Sequence, residues 1–219
     1  MKKQKIWAWI FLPIAFFLIG YLILFLLAQP YIRPMASIYD MISQNQTPDF
    51  SSTAKNLYTE KDGLPTNGKL NALDIKSIRV GDTMGQVIID DVNIDVPLLY
   101  GSTDECLYVG AGLRTQSHKP GYGKPVMIAG HTIPYFKNLG LVKEGQIVTV
   151  KTYYGIFKYK ITGTKVANEE DSSAYDLDQK KEQLILFTCY PLDGIGNKTD
   201  RLFVYADKMS GPEVVGDIK

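Results

Sequence analysis

Between residues 85 and 206 the chain consists of short runs in which apolar residues either alternate with polar ones or follow one another without a break. Alternation with a period of two is typical of a strand with one buried face, and a short unbroken apolar run is typical of a strand buried on both faces. Glycine, proline, asparagine and aspartate separate the runs and mark turns. The runs that predict strands are residues 85–90, 92–97, 125–129, 147–152, 157–162, 184–187 and 201–206.

Helical patterns are few in this part of the chain, and residues 103–110 and 134–141 are the candidates for short helices. The strands at 147–152 and 157–162 alternate most clearly. The glycine-containing segment 153–155 between them predicts a hairpin. The pattern therefore predicts an all-β domain with short helices, for which a small β-barrel is the best fit, although periodicity alone does not separate a barrel from a sandwich.

One run of a different kind lies at the N-terminus, where residues 6–28 contain no charged side chain. A helix needs about 20 apolar residues to cross a bilayer, whereas the core of a cleavable signal peptide has roughly 7–15. Lys2, Lys3 and Lys5 precede the run and only Arg33 follows it closely, so the positive-inside rule keeps the N-terminus in the cytoplasm. We therefore predict a retained single-pass transmembrane anchor, with the rest of the chain outside the cell.

These patterns divide the chain into three parts. Residues 1–29 are predicted to form a cytoplasmic tip and the anchor, residues 30–76 an extracellular spacer, and residues 77–219 the β-domain. The spacer is inferred from residues 43–71, which are rich in Ser, Thr, Asn, Gly and Pro and poor in large aliphatic residues. The net charge is +1 and no basic patch with interleaved aromatic residues is present, so we expect no nucleic-acid partner.

The candidate chemistry lies at the ends of the last two predicted strands. Cys189 follows the apolar run at residues 184–187, and Arg201 opens the next run after a polar loop. If the two strands pair as antiparallel neighbours, the end of one lies beside the start of the other, and the guanidinium comes close to the sulfur. A nearby cation favours the thiolate form of a cysteine, which is the nucleophilic form.

A nucleophilic thiol needs a group that transfers protons, and the chain has two histidines. His131 follows the apolar run at residues 125–129, whereas His118 lies in a polar segment rich in turn residues. If the strands that precede His131 and Cys189 are parallel neighbours, both side chains leave the sheet at the same edge. We therefore predict that His131, Cys189 and Arg201 are catalytic residues.

The arrangement resembles the sortase family, the cysteine transpeptidases of the Gram-positive cell surface. The resemblance rests on a Gly-His pair ending at His131, a Thr-Cys pair ending at Cys189, and Arg201 at the start of the last strand. The order and spacing of these motifs agree with the family over about residues 84–207. Among the classes of the family, the Thr-Cys-Tyr-Pro sequence at residues 188–191 is most similar to class D.

Two features differ from class C, the pilin-polymerising sortases. That class usually has a lid with an Asp-Pro-aromatic motif, and the Pro-Asp-Phe sequence at residues 48–50 has a different order. Class C also usually carries a C-terminal membrane segment, whereas residues 211–219 are polar. A pilin-polymerising or a housekeeping sortase of another class is therefore the alternative to class D.

The resemblance implies a closed β-barrel of about eight strands and acyl transfer through a thioester on Cys189. The substrates implied are surface proteins with a C-terminal sorting signal of the Leu-Pro-x-Thr type, and the acceptor is an amine of a peptidoglycan precursor. His131 then transfers protons to and from the two amines, and Arg201 stabilises the oxyanion or holds the substrate backbone. Thr188 is a further candidate for substrate binding through its hydroxyl. Such an enzyme lies in the plasma membrane of a Gram-positive bacterium, with its catalytic domain outside.

The same side chains allow three other uses. A disulfide between Cys106 and Cys189 is compatible with an extracellular protein, but it would block the proposed nucleophile. A zinc site built from these cysteines with His118 and His131 would lack the short paired spacings that such sites show. The acidic cluster at residues 169–171 supplies only part of the six to eight oxygens that calcium requires, so we expect no metal and no cofactor.

Two other classes of protein share some of these features. A papain-like cell-wall hydrolase uses the same chemistry, but its cysteine usually lies at a helix N-terminus and before the histidine in the chain. Here the histidine comes first and the cysteine ends a strand. A membrane-anchored β-barrel that only binds its partner is the non-catalytic alternative.

Overall fold

The computed structural model describes residue 14 and residues 16–25, 63–193 and 198–216. The chain divides into two compact units, residues 1–47 and residues 48–219. In the first unit, residues 16–25 are helical and their large apolar side chains are exposed. The anchor predicted at residues 6–28 lies in part outside the described residues. Within the described ranges, no helix has both the length and the apolar character needed to cross a membrane.

In the second unit, eight of the described strands close into a barrel. These strands are β2 (Thr83–Ile89), β3 (Ile94–Tyr100), β4 (Ala111–Leu113), β5 (Val126–Ala129), β6 (Ile147–Thr152), β7 (Gly155–Asn168), β8 (Gln183–Tyr190) and β9 (Asp200–Ser210). Their order around the barrel is β2, β3, β4, β5, β8, β9, β7 and β6, and β6 pairs again with β2. The prediction of an all-β, barrel-forming domain is confirmed.

The pairing of the strands decides which chain segments meet. β3 and β4 are parallel, as are β5 and β8, and the other neighbours in the barrel are antiparallel. Each of the seven strand-like runs of the sequence falls on a strand, and β6 and β7 form the predicted hairpin. β4 was not predicted, because three residues are too few to show a period.

The interior of the barrel is filled by side chains that alternate along the strands. On β8, Leu184 and Leu186 point into the core, as do Leu202 and Val204 on β9. Each fully buried aliphatic side chain of this kind stabilises the fold by about 1.5–3 kcal/mol. The outer face of β8 is covered as well, because Ile185 packs in a second buried cluster outside the barrel. Burial on both faces explains the unbroken apolar run at residues 184–187.

The second cluster lies on the outer face of β5, β8 and β9. It contains Met127, Ile185 and Phe203, and the loop between β7 and β8 covers it. The short 3-10 helix Ser172–Ala174 of that loop is held in place by the Tyr205 hydroxyl, which donates to the Ala174 carbonyl at 2.5 Å.

Both predicted short helices are confirmed. Helix α1 spans Asp104–Val109. The segment predicted at residues 134–141 forms two successive turns, a π-helical turn at Thr132–Phe136 and a 3-10 helix at Lys137–Leu141. The first of these turns begins immediately after His131.

The end of the segment predicted to be a spacer packs against the barrel. β1 (Lys69–Asn71) pairs in parallel with β10 (Glu213–Val215) in a separate two-stranded sheet. The Tyr153 hydroxyl donates to the Lys76 carbonyl at 2.6 Å, and the Ile156 N–H donates to the Pro65 carbonyl at 3.0 Å. Most of these contacts involve the backbone, which explains why the low aliphatic content of this segment did not reveal them. Residues 30–62 of the predicted spacer lie outside the described residues.

Candidate active site

His131 and Cys189 leave neighbouring parallel strands at the same level. In the β5–β8 pair, Ala129 is opposite Phe187, and the Gly130 N–H donates to the Phe187 carbonyl at 3.1 Å. His131 lies two residues beyond Ala129, and Cys189 lies two residues beyond Phe187. The parallel pairing on which the predicted proximity of the two residues depends is therefore present.

Gly130 is required at the end of β5 because an aromatic ring packs there. A Cβ atom at this position would lie 2.6 Å from the ring of Phe136, which is too close for any side chain. The glycine lets the chain turn directly from β5 into the helical turn that follows His131.

Cys189 and Arg201 are direct neighbours across the antiparallel β8–β9 pair. Residues opposite each other in such a pair lie on the same face, with Cβ atoms about 4.5–5.5 Å apart. Because Leu186 and Leu202 point into the barrel, Cys189 and Arg201 lie on the outer face. The two residues are therefore cross-strand neighbours, as the predicted antiparallel pairing requires.

The thiol of Cys189 is free and partly exposed. The other cysteine, Cys106, is also free, so the two do not form the disulfide considered above. Cys106 is buried in α1, where its sulfur contacts the Tyr100 carbonyl and the Thr103 hydroxyl. Of the two cysteines, only Cys189 can reach a substrate.

Three acceptors among the described residues hold Arg201. Its Nη1 donates to the Lys198 carbonyl at 2.7 Å and to the Asp200 carbonyl at 3.0 Å, and its Nη2 donates to the carboxylate of Glu169. Glu169 is placed there by its own backbone, because its N–H donates to the Thr199 carbonyl at 2.8 Å. The sequence indicated no such role for Glu169.

His131 is half-buried beside helix α1. Its ring lies 5.7 Å from the ring of Tyr108, measured between centroids, and the two planes are tilted by 53°. Burial lowers the pKa of His131, and the negative charge of Asp104 opposes this shift. Since the usual pKa of histidine is about 6.5, the neutral imidazole predominates at pH 7.

A pair of threonines links the histidine segment to the cysteine strand. The hydroxyls of Thr132 and Thr188 lie 3.0 Å apart, and Thr132 donates to the Cys189 carbonyl at 3.1 Å. Thr132 has one hydroxyl hydrogen, so Thr188 is the donor between the two threonines. Thr188 is only 2% exposed and points to the inner side of β8. The structure does not bring its hydroxyl to the outer face where Cys189 lies, so the predicted substrate contact has no support in this geometry.

Thr132 is the residue of this pair that the sequence did not indicate. A threonine that follows a histidine in a turn carries no distinctive pattern. Its importance depends on the parallel pairing of β5 with β8, which brings the two segments together from positions 56 residues apart.

The remaining candidate ligands are dispersed. His118 is exposed in the loop before β5, and its backbone N–H donates to the Pro125 carbonyl at 2.9 Å. Asp171 accepts from the Ser173 N–H and pairs with Lys165 at 3.6 Å. Within the described ranges, His, Cys, Asp and Glu form no group of three that could hold a metal ion.

The β-barrel thus carries a thiol, an imidazole and a guanidinium at the ends of three neighbouring strands. A family model of the sortase domain matches residues 87–209, which is more than half of the 219 residues. The chain belongs to the sortase family, a family of cysteine transpeptidases.

Several known proteins are similar to this chain. It is 30% identical over 130 residues to sortase D of Bacillus subtilis (strain 168), a match that covers 59% of this chain and 66% of that protein, just under two thirds of its length. It is also similar to the solved structure of sortase C from Clostridium perfringens SM101, at 26% identity and a TM-score of 0.54, over 60% of this chain and 72% of that chain.

Another solved structure, a sortase D5 transpeptidase of Clostridium perfringens, is 25% identical with a TM-score of 0.53, and the match covers 61% of this chain and 82% of that chain. Sortase A from Actinomyces oris, at 22% identity and a TM-score of 0.57, is similar in fold, over 68% of this chain and 88% of that chain. Sortases of three classes thus share the barrel described above.

Proposed function

We propose that this chain is a transpeptidase that cleaves a Leu-Pro-x-Thr-type C-terminal sorting signal and joins the surface protein to an amine of a peptidoglycan precursor. One observation supports this function above all others. Cys189 lies directly opposite Arg201 in the β8–β9 register, and His131 leaves the parallel strand β5 at the same level. The proposed nucleophile, proton carrier and cation thus come from the ends of three neighbouring strands.

The first half of the reaction forms a thioester. The neutral imidazole of His131 accepts the proton of the Cys189 thiol, and the sulfur electron pair attacks the threonine carbonyl of the signal. The carbon–sulfur bond forms and negative charge moves to the carbonyl oxygen, where Arg201 donates hydrogen bonds to it. When the carbonyl re-forms, the carbon–nitrogen bond breaks and His131 returns the proton to the departing amine.

The second half releases the product. The acceptor amine attacks the thioester and His131 takes its proton, so the imidazole acts as a base in this step and as an acid in the previous one. The carbon–sulfur bond breaks, and Cys189 recovers a proton from His131. Atoms and charges balance over the cycle without a cofactor.

Class D is the class that we propose within the family. The curated relative named sortase D at 30% identity supports it, as does the sequence Thr-Cys-Tyr-Pro at residues 188–191. The sortase C structure of Clostridium perfringens is about as similar in fold, so a class C function in pilus assembly is the alternative. The signal sequence that the enzyme prefers distinguishes the two.

We also propose that the enzyme is anchored in the plasma membrane of a Gram-positive bacterium, with its barrel outside the cell. The uncharged run at residues 6–28 and the lysines before it support this location. The acceptor amine and the sorting signals of surface proteins are both found on that side of the membrane.

The two cysteines provide the test of this function. Cys189→Ala removes the nucleophile, so cleavage of a fluorogenic Leu-Pro-x-Thr peptide and its transfer to an added amine should both stop. Cys106→Ala is the matched control, because that thiol is buried in α1 and should leave the rates close to those of the wild type.

Two results would contradict the proposal. Turnover by a folded Cys189→Ala variant would exclude the thioester mechanism. A wild-type protein that binds the peptide, protects Cys189 from a thiol label and yet releases no product would indicate the non-catalytic binding protein instead.

A further inference from the structure

Glu169 is the only described carboxylate that forms an ion pair with Arg201. The arginine side chain is 17% exposed, and the glutamate side chain is 47% exposed, so the pair lies at the rim of the site. Exposed ion pairs usually contribute little to stability. The main effect of this contact is therefore to orient the guanidinium, not to stabilise the fold.

The contacts of Arg201 leave part of its guanidinium available. Of its five N–H donors, the two on Nη1 are taken by the carbonyls of Lys198 and Asp200, and one on Nη2 is taken by Glu169. The Nε–H and the second hydrogen of Nη2 have no acceptor among the described residues. In the described part of the chain, these two donors are therefore unoccupied.

Glu169 is itself fixed in place. It directly follows β7, in which Asn168 is opposite Asp200 and Ala167 is opposite Arg201. Its N–H donates to the Thr199 carbonyl at 2.8 Å, so its backbone is hydrogen-bonded to the segment that leads into β9. An acceptor anchored through its own backbone can hold a flexible arginine in one orientation.

We propose that Glu169 is a positioning residue that holds the Arg201 guanidinium beside Cys189, so that the remaining donors face the oxygen that becomes negative. The proposal deepens the function proposed above and rests on it. Without the carboxylate, the arginine keeps its charge but loses the one side-chain hydrogen bond that Nη2 makes in the described part of the chain. Hydrogen-bond donors stabilise a transition state only when they are already in place.

The kinetic test compares Glu169→Ala with Glu170→Ala in the full-length protein. Glu170 is the matched control, because it is the next residue, has the same charge, is exposed and makes no ion pair with Arg201 in the described part of the chain. We expect Glu169→Ala to lower kcat for peptide cleavage about tenfold to a hundredfold with little change in KM. Glu170→Ala should leave both constants unchanged.

Two further variants separate positioning from a general structural effect. Glu169→Gln keeps an acceptor oxygen within reach of Nη2 and should recover most of the lost kcat. In an Arg201→Ala background, Glu169→Ala should lower kcat no further, because its effect acts through the arginine. An equal loss in both backgrounds would overturn the proposal.

A measurement that needs no turnover tests the same contact. The Nε–H group of Arg201 should give an NMR signal with the relaxation of a rigid side chain in the wild type, and of a mobile one in Glu169→Ala but not in Glu170→Ala. A rigid Arg201 in Glu169→Ala would overturn the positioning role whatever the activity. If Arg201 becomes mobile but the wild type cleaves no signal peptide, the transpeptidase function fails while the contact between the two side chains stands.

Discussion

At the scale of single residues, one hydroxyl connects the two halves of the candidate site. Thr132 follows the proposed proton carrier and donates to the carbonyl of Cys189, the proposed nucleophile. It also accepts from Thr188, whose hydroxyl is otherwise enclosed in the barrel. The distance between the His131 imidazole and the Cys189 thiol therefore depends on the hydrogen bond from Thr132 to the Cys189 carbonyl, in which neither the imidazole nor the thiol takes part.

Replacing Thr132 by valine should weaken this connection. The variant keeps a similar shape but leaves the Thr188 hydroxyl buried without its acceptor, which costs about 1–3 kcal/mol. We expect the free energy of unfolding, measured by urea titration, to fall by about that amount, and kcat to fall with it. Thr132→Ser retains the hydroxyl and is the control. If the valine variant is as stable and as active as the serine variant, Thr132 does not hold the two segments together.

The sequence allowed three residues of the site to be predicted because each of them bounds a strand with a clear pattern. His131 and Cys189 end apolar runs, and Arg201 opens one. Thr132 and Glu169 could not be found in this way. Their partners lie 57 and 32 residues away along the chain, and only the pairing of the strands brings them into contact.

At the scale of elements, β8 is the strand on which the site depends. It is parallel to β5 and antiparallel to β9, so one strand sets the positions of all three proposed catalytic residues. The end of β8 that is distant from Cys189 begins beside Glu182, a carboxylate that is 5% exposed. Glu182 accepts hydrogen bonds from the Gly121 and Gly123 N–H groups, from the Tyr159 hydroxyl and from Lys208.

Glu182 thus ties the loop before β5 to β7, β8 and β9. Burial raises the pKa of the Tyr159 hydroxyl well above its usual value, and the nearby charge of Glu182 raises it further, so the tyrosine remains a hydrogen-bond donor at any physiological pH. Every hydrogen-bond partner of the carboxylate in the described residues is a donor, which is the arrangement that a buried charge requires.

Replacing Glu182 by glutamine should therefore destabilise the barrel. The amide has one acceptor oxygen instead of two, and Lys208 loses the carboxylate with which it forms an ion pair, so we expect the free energy of unfolding to fall by about 3 kcal/mol. Asp207→Asn is the control, since it breaks the exposed pair of Lys181 with Asp207 and should cost about 0–1 kcal/mol. Equal urea midpoints for the two variants would show that the Glu182 contacts contribute no more than a surface pair.

The strands of the barrel could be predicted to the extent that each has a pattern of its own. β6 and β7 alternate, and residues 184–187 of β8 are all apolar because this part of the strand is covered on both faces. β1, β4 and β10 have three residues each, and their existence depends on the partners beside them. The role of Glu182 could not be predicted either, because the residues that donate hydrogen bonds to it come from distant parts of the chain.

At the scale of the whole molecule, the barrel depends on the segment that leads into it. Among the residues before β2, Leu70, Ile75 and Ile78 pack against the core. β1 in this segment is hydrogen-bonded to β10 at the other end of the described chain, so pairing between β1 and β10 links the two ends of the barrel domain. A boundary at residue 76, as expected from composition, would separate partners that the structure joins.

Two truncated proteins, one beginning at residue 63 and one at residue 77, test this dependence. The first keeps β1 and should unfold at the same urea concentration as the full-length chain. The second loses the packing of Leu70 and Ile75 and the acceptor of the Tyr153 hydroxyl, and it leaves β10 without its partner. We expect its free energy of unfolding to be lower by at least about 2 kcal/mol, because each aliphatic side chain stabilises in proportion to the area it buries.

Activity measured on the same two proteins shows whether the segment matters beyond stability. β1 and β10 lie outside the closed barrel, and no hydrogen bond joins them to His131, Cys189 or Arg201 in the described residues. The shorter protein should therefore keep its kcat at temperatures where it remains folded, and should lose activity only when it unfolds. Equal unfolding midpoints for the two proteins would show that residues 63–76 do not stabilise the barrel and belong to the spacer, as their composition predicts. A loss of kcat in the folded shorter protein would instead indicate that this segment influences the site itself.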